Sequence, residues 1–124
     1  MSEKLTQKQL DKKLKYWQKI LSLRDWDIRA EIVPLNTMSN PSHAGEIEWD
    51  LQGRAASLTL VREQDYPSDA VDKTDIETTL VHELLHLHLA AIRSKYGDCE
   101  NYVLFEEQAI NALAKGYIKL HRKG

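Results

Sequence analysis

Leu80-Val81-His82-Glu83-Leu84-Leu85-His86 is the stretch from which the rest of the chain can be read. It sets two histidines four residues apart, with a glutamate directly after the first, inside an apolar run. On a helix, residues four apart stand one above the other on the same face. His82 and His86 can therefore aim two imidazoles at one metal ion. Glu83 is turned from His82 by about 100°, which keeps it off the metal but close to a water on it. A hydrolytic zinc site takes three protein ligands, keeps one position open and needs a nearby carboxylate to accept a proton. The expectation is that His82 and His86 are metal ligands and Glu83 is the catalytic base.

The flanking residues support this reading. Thr74-x-x-Glu77 reads as a capping box opening a helix just ahead of the run, and Gly97 is placed to end that helix after about Lys95. Leu80, Val81, Leu84, Leu85, Leu87, Leu89, Ala91 and Ile92 leave it almost no polar side, so it is expected at the centre of the domain. Two imidazoles and a carboxylate buried there need partners, and one metal ion serves all three, directly or through water. His88 faces about 160° away from His86 and is expected in a core or partner contact, not on the metal.

A third ligand is available downstream. Val103, Glu106 or Glu107, Ile110, Leu113, Ala114 and Tyr117 mark a last helix to about residue 121, with Asp98 as a candidate cap. Glu106 and Glu107 both lie near its apolar face, where a carboxylate is costly unless bound. Glu107 is favoured, with Glu106 as the alternative. Asn111 stands one turn after Glu107 and could orient a histidine ligand by a hydrogen bond. Cys99 is expected to be a small buried residue and not a ligand.

Upstream, Thr6-x-x-Gln9 forms a capping box with a Leu5/Leu10 staple, and Leu10, Leu14, Trp17 and Leu21 follow at helical spacing, giving a helix over 6–22. Lys8, Lys12, Lys15 and Lys19 make its outer face basic, which reads as a solvated surface. Residues 27–34 and 44–51 alternate apolar with polar, as does 54–62, and Gln52-Gly53 is placed to turn the last two into a hairpin. Residues 36–43 and 63–73 read as loops. A single α+β domain over 1–124 is expected.

Composition sets outer limits. A chain of 124 residues can bury a core without disulfides, and its one cysteine cannot form one internally. The net charge of -2 gives no global reason to expect nucleic acid or an anionic membrane as a partner. No apolar run approaches the length of a membrane span, and Met1 to Leu5 leads into a charged amphipathic stretch without a signal-peptide core, so a cytoplasmic protein is expected. The oligomeric state is left open.

His82-Glu83-Leu84-Leu85-His86, followed by Glu107-Gln108-Ala109-Ile110-Asn111-Ala112-Leu113-Ala114, resembles the gluzincin metallopeptidases. The closer resemblance is to the small phage and prophage members near the ImmA/IrrE group, sometimes called minigluzincins. Glu107, Asn111 and Ala114 match that group's second motif, while Ile110 and Leu113 replace its usual small and aromatic residues, and Leu85 its usual Gly or Ala. The chain has no third histidine at metzincin spacing. The resemblance implies a minimal zincin-like domain: an N-terminal helix, a three-stranded mainly antiparallel sheet, a central HExxH helix and a C-terminal ligand helix. It implies zinc-dependent peptide hydrolysis in which Zn2+ is held by His82, His86 and Glu107. A protein or peptide substrate would lie along an exposed edge strand, for which 54–62 is the candidate, with Ala55, Ser57 and Thr59 as its small outward groups. His43, Tyr66 and Tyr102 are candidates for stabilising the oxyanion. The alternative is a non-catalytic zinc-binding regulatory or interaction module using the same ligands.

Overall fold

The computed structural model describes residues 5–66 and 75–123. In chain order its elements are α1 (Gln7–Ile20), β1 (Asp27–Val33), β2 (Gly45–Asp50), β3 (Ala55–Val61), α2 (Ile76–His88), α3 (Ala90–Tyr96) and α4 (Tyr102–Lys123), an α+β arrangement. The expected capping box opens α1: Thr6 Oγ1 accepts from Gln9 N–H, and the Gln9 side chain accepts from Thr6 N–H. Leu10, Leu14 and Trp17 then bury the inner face of α1, while Lys8, Lys12, Lys15 and Lys19 stay exposed.

The three strands lie where the alternation puts them, but their pairing is not mainly antiparallel. The sheet order is β1-β3-β2; β2 and β3 form the antiparallel hairpin, and β1 runs parallel to β3. Strand 54–62, expected to be an exposed edge, is therefore the centre of the sheet and is paired on both sides. The turn residues specified only the β2–β3 hairpin. β1 and β3 are separated in sequence by β2, and no local turn announces their parallel pairing. In the hairpin loop Arg54 takes the positive φ (50°) and Gly53 does not. The Arg54 guanidinium pairs with Asp25.

The two outer strands present different edges. Gln7, in the first turn of α1, lies against β1: its amide donates to Ala30 O (2.7 Å) and accepts from Ile32 N–H (3.2 Å). One side chain thus satisfies a donor and an acceptor on that edge. On β2, Ala44 O accepts from Val61 N–H (2.9 Å). With Gly45 opposite Leu60, the alternation of an antiparallel ladder turns the N–H and C=O groups of Gly45, Ile47 and Trp49 away from β3, toward the free edge.

One face of the sheet, carrying Ile28, Ala30, Ala56, Leu58 and Leu60, is buried in a core shared with α1, α2 and α4. α2 lies on this face, with α1 and α4 packed beside it. Leu80, Val81 and Leu84 of α2 are fully buried, as the all-apolar pattern requires. Each such side chain contributes about 1.5–3 kcal/mol of burial free energy.

Three helix boundaries differ from expectation. Thr74 lies outside the described residues; the N-cap of α2 is Asp75, whose carboxylate accepts from Thr78 N–H at 2.8 Å. The helix expected to reach about Lys95 breaks at Leu89 (φ -106°, ψ 5°), and α3 sets off separately to end at Gly97. No Gly or Pro marks this break, so the periodicity runs through it. Asp98 does not cap α4, which starts at Tyr102 after Asn101 in a left-handed conformation (φ 65°). Cys99, expected to be buried, is an exposed free thiol in the turn before it.

Candidate metal centre

α2 and α4 run antiparallel, because their contacts pair the end of one with the start of the other. The last turn of α2 meets the first of α4 through His86 and Glu106, and the first turn of α2 meets the end of α4 through Asp75, Glu77 and Arg122. At the first meeting point His82, His86 and Glu107 each offer one ligand atom, and these atoms lie within 4.8 Å of one another, close enough to hold a metal ion. Glu107 Oε2 is 3.2 Å from His82 Nε2, and Glu107 Oε1 is 2.9 Å from His86 Nε2. The two imidazoles are near neighbours with ring centroids 5.1 Å apart, as the spacing of four required.

Glu106, the alternative ligand, lies outside this group. Its carboxylate is buried, 4% exposed, and accepts from His86 Nδ1 (2.6 Å), Arg93 (3.0 Å) and the Tyr102 hydroxyl (2.8 Å). The adjacent glutamates thus divide the labour. Glu107 faces the ε nitrogens of both histidines, while Glu106 grips His86 from behind at its δ nitrogen. A carboxylate in that position fixes the ring orientation, leaves Nε2 for the metal and raises the basicity of the ligand. This is the role expected of Asn111, which instead is exposed and lines the cleft. The break at Leu89 has its use here, since it starts the short helix from which Arg93 reaches Glu106.

The electrostatics follow from these contacts. Burial works against a charged His86, but Glu107, Glu83 and Glu106 outweigh it, and its pKa is raised. With a carboxylate at each ring nitrogen, both nitrogens act as donors, and a metal ion would take the place of the Nε2 proton. Hydrogen bonds from His82 and then His86 hold the Glu107 carboxyl far below the usual carboxylate range, against burial. Glu83 is 7% exposed, and its Oε2 stands 4.0 Å from His82 Nε2. Burial pushes its pKa up, and the nearby histidines only partly oppose this. A buried carboxylate beside a ligand group is placed to act as a proton acceptor.

The site opens to a cleft between the β2 edge and α4, lined by His43, Gly45, Glu48, Thr79, Asn111 and Lys119 among others. Of the three oxyanion candidates only His43 lines it. Tyr102 is taken up by Glu106, and Tyr66 packs with Val33, Met38 and Val61 in a second, smaller core. His88 is away from the metal group as expected, with Nε2 2.6 Å from Leu21 O.

Two further contributors were not singled out in the sequence. Arg93 is one. Gly45 is the other: a Cβ there would stand 2.7 Å from Thr79 Cγ2, 3.0 Å from Leu60 Cδ2 and 3.3 Å from Glu83 Cγ. Only a residue without a side chain lets β2 run this close to Glu83. A glycine at the head of an alternating strand was the available signal, since such a residue often marks a close approach of backbone.

A second polar cluster sits at the far end of α2. Glu77 accepts from Trp17 Nε1 (2.8 Å) and lies 3.4 Å from both Lys13 and Arg122, and Arg122 also pairs with Asp75 at 2.9 Å. Burial raises the Glu77 carboxyl, but Trp17, Lys13 and His121 together hold it below its ordinary value. α4 is therefore fastened to α2 at both ends. Among the described residues no helix is long and apolar enough to cross a membrane. Compared with protein-family models, curated proteins and solved structures, the chain matches none, so its chemistry is argued from this group of His82, His86 and Glu107 with Glu83 beside it.

Proposed function

We propose that this protein is a zinc-dependent peptide hydrolase of the gluzincin type, acting on a protein or peptide in the cytoplasm. The observation that carries the reading is the combination of two imidazoles and one carboxylate within ligand reach with a separate, buried, proton-hungry carboxylate at Glu83. Two nitrogens and one carboxylate oxygen are one of the donor sets of catalytic zinc sites, and they fit the ion here: His82 Nε2, His86 Nε2 and Glu107 would hold it, with Glu106 behind His86. When bound, zinc supplies a Lewis acid for the scissile carbonyl and lowers the pKa of water to about 7.

The chain's own residues do the rest. Glu83 takes a proton from the attacking water at its carboxylate and returns it to the departing amide nitrogen. The outward N–H and C=O groups of Gly45, Ile47 and Trp49 can pair with an extended peptide as an added strand. This moves the substrate from the central β3 to the free edge of β2, and Gly45 brings that edge against Glu83. His43 is the cleft residue available to assist the oxyanion. Membership of a phage or prophage lineage rests on the sequence resemblance alone.

A non-catalytic zinc module would use the same three ligands but close around them. Against it stands exposure: the Glu107 side chain is 39% and that of His82 18% accessible, both on the cleft between β2 and α4. The test pairs zinc content with turnover. Glu83→Gln keeps one equivalent of zinc and loses at least about 100-fold in cleavage of a peptide library read by mass spectrometry, while His82→Ala loses the zinc. Wild-type protein that is loaded with zinc, has four protein ligands by X-ray absorption and cleaves nothing supports the module.

A further inference from the structure

α4 carries more apolar surface than its own fold uses. Ile110, Ala114 and Ile118 face the core, yet Phe105 is 61%, Leu113 51% and Leu120 71% exposed. Ala109, Ala112 and Gly116 are also exposed and stand between them. The positions 105, 109, 112, 113, 116 and 120 keep the spacing of one continuous helix face. Gly116 is the odd member. Glycine in a helix interior costs stability, and a Cβ there would meet nothing within 4 Å. Nothing among the described residues accounts for it, whereas a second backbone passing close by would.

We infer that this face is the interface of a two-fold symmetric dimer in which α4 packs antiparallel against α4 of a second copy. The occupant is fixed by self-complementarity. About a two-fold axis between Ala112 and Leu113, Phe105 opposes Leu120, and Ala109 opposes Gly116. Large residues meet at the ends, Ala109 meets Gly116 between them, and at the axis Leu113 of each copy lies over Ala112 of the other. The charges agree. The turn leading into α4 carries Asp98 and Glu100, and its last turn carries Lys123. Antiparallel pairing sets each acidic end beside the basic end of the other copy and opposes the two helix dipoles favourably.

The dimer leaves the cleft open. Gly116 follows Glu107 by nine residues, about two and a half turns, so the interface lies on the side of α4 opposite the metal ligand. The inference is thus independent of the reaction proposed for that site.

Sedimentation velocity over the micromolar range tests it on the full chain. Wild type sediments as a reversible dimer. Leu113→Lys raises the dissociation constant at least about tenfold, with an unchanged circular dichroism spectrum. Glu100→Lys and Lys123→Glu each weaken the dimer, and the double variant recovers most of the loss, because the exchanged charges again meet across the axis. A wild type that stays monomeric throughout the range overturns the inference, whether or not another protein or a lipid vesicle then binds this face. So does a dimer whose affinity Leu113→Lys leaves unchanged.

Discussion

Glu106→Gln separates a residue that holds a ligand from one that is a ligand. The amide keeps the shape of the side chain and can still accept from His86 Nδ1, now 2.6 Å from a carboxylate oxygen, and its NH2 can donate to the Tyr102 hydroxyl oxygen. What disappears is the charge. Hydrogen bonds to charged groups contribute about 1.5–3 kcal/mol, against about 0.5–1.5 kcal/mol for neutral pairs. The loss at the buried His86 bond is therefore about 1–2 kcal/mol, or roughly 5- to 30-fold in metal affinity, in keeping with the effect of second partners on metal-bound histidines. The Arg93 contact, partly open to solvent, adds a further stability loss of under about 1 kcal/mol. The assay is zinc competition against a chelator of known affinity, with thermal melting alongside. Glu107→Gln is expected to weaken zinc far more than Glu106→Gln, because a donor atom itself is replaced. Two results would refute the assignment: Glu106→Gln binding zinc as tightly as wild type, or losing it as completely as Glu107→Gln.

Gly45→Ala forces its Cβ to within 2.7 Å of Thr79 Cγ2 and against Glu83, so it is expected to cost about 1–3 kcal/mol in urea unfolding and to lower turnover while zinc content stays the same. At the far end of α2, Glu77 and Asp75 are both held below their ordinary pKa values. A lowered folded-state value means that their stabilisation is present above the usual carboxylate range and is lost as pH falls below about 4 through the lowered values. Glu77→Gln is therefore expected to melt earlier than wild type at pH 7, with the gap narrowing on acidification; a gap that widens contradicts the clasp. Leu80→Ala, at a fully buried site in the main core, should cost about 2–5 kcal/mol in the same unfolding assay.

The elements and ligand group that the sequence made legible share one property: their cause is local. The Thr6/Gln9 box, the alternation of the strands and the four-residue step from His82 to His86 each need only neighbours in the chain. What escaped depends on how elements meet. The sequence favours Glu107 as the ligand, but the grip of Glu106 on His86 Nδ1, about 100° round the helix, is set by the rotation of α4 about its axis. The parallel pairing of β1 with β3 is likewise decided by contacts distant in sequence, as is the closeness of Gly45 to Glu83. Leu113 and Tyr117 belong to the apolar spacing that marks the last helix, yet both are exposed, because spacing alone cannot tell a face turned inward from one turned outward.

The unequal edges of the sheet bear on how the protein stays in solution. An unpaired strand is a template for fibril growth as well as for a bound peptide. Gln7 closes one of the two edges with a single amide. The other must remain available if substrate is to bind there, and it carries outward Glu46, Glu48 and Asp50. Two copies attempting to join along β2 would bring like charges face to face, a repulsion that an incoming peptide of neutral or basic character does not meet. The same three acids that keep the open edge from polymerising would thus act as a filter on which chains it accepts.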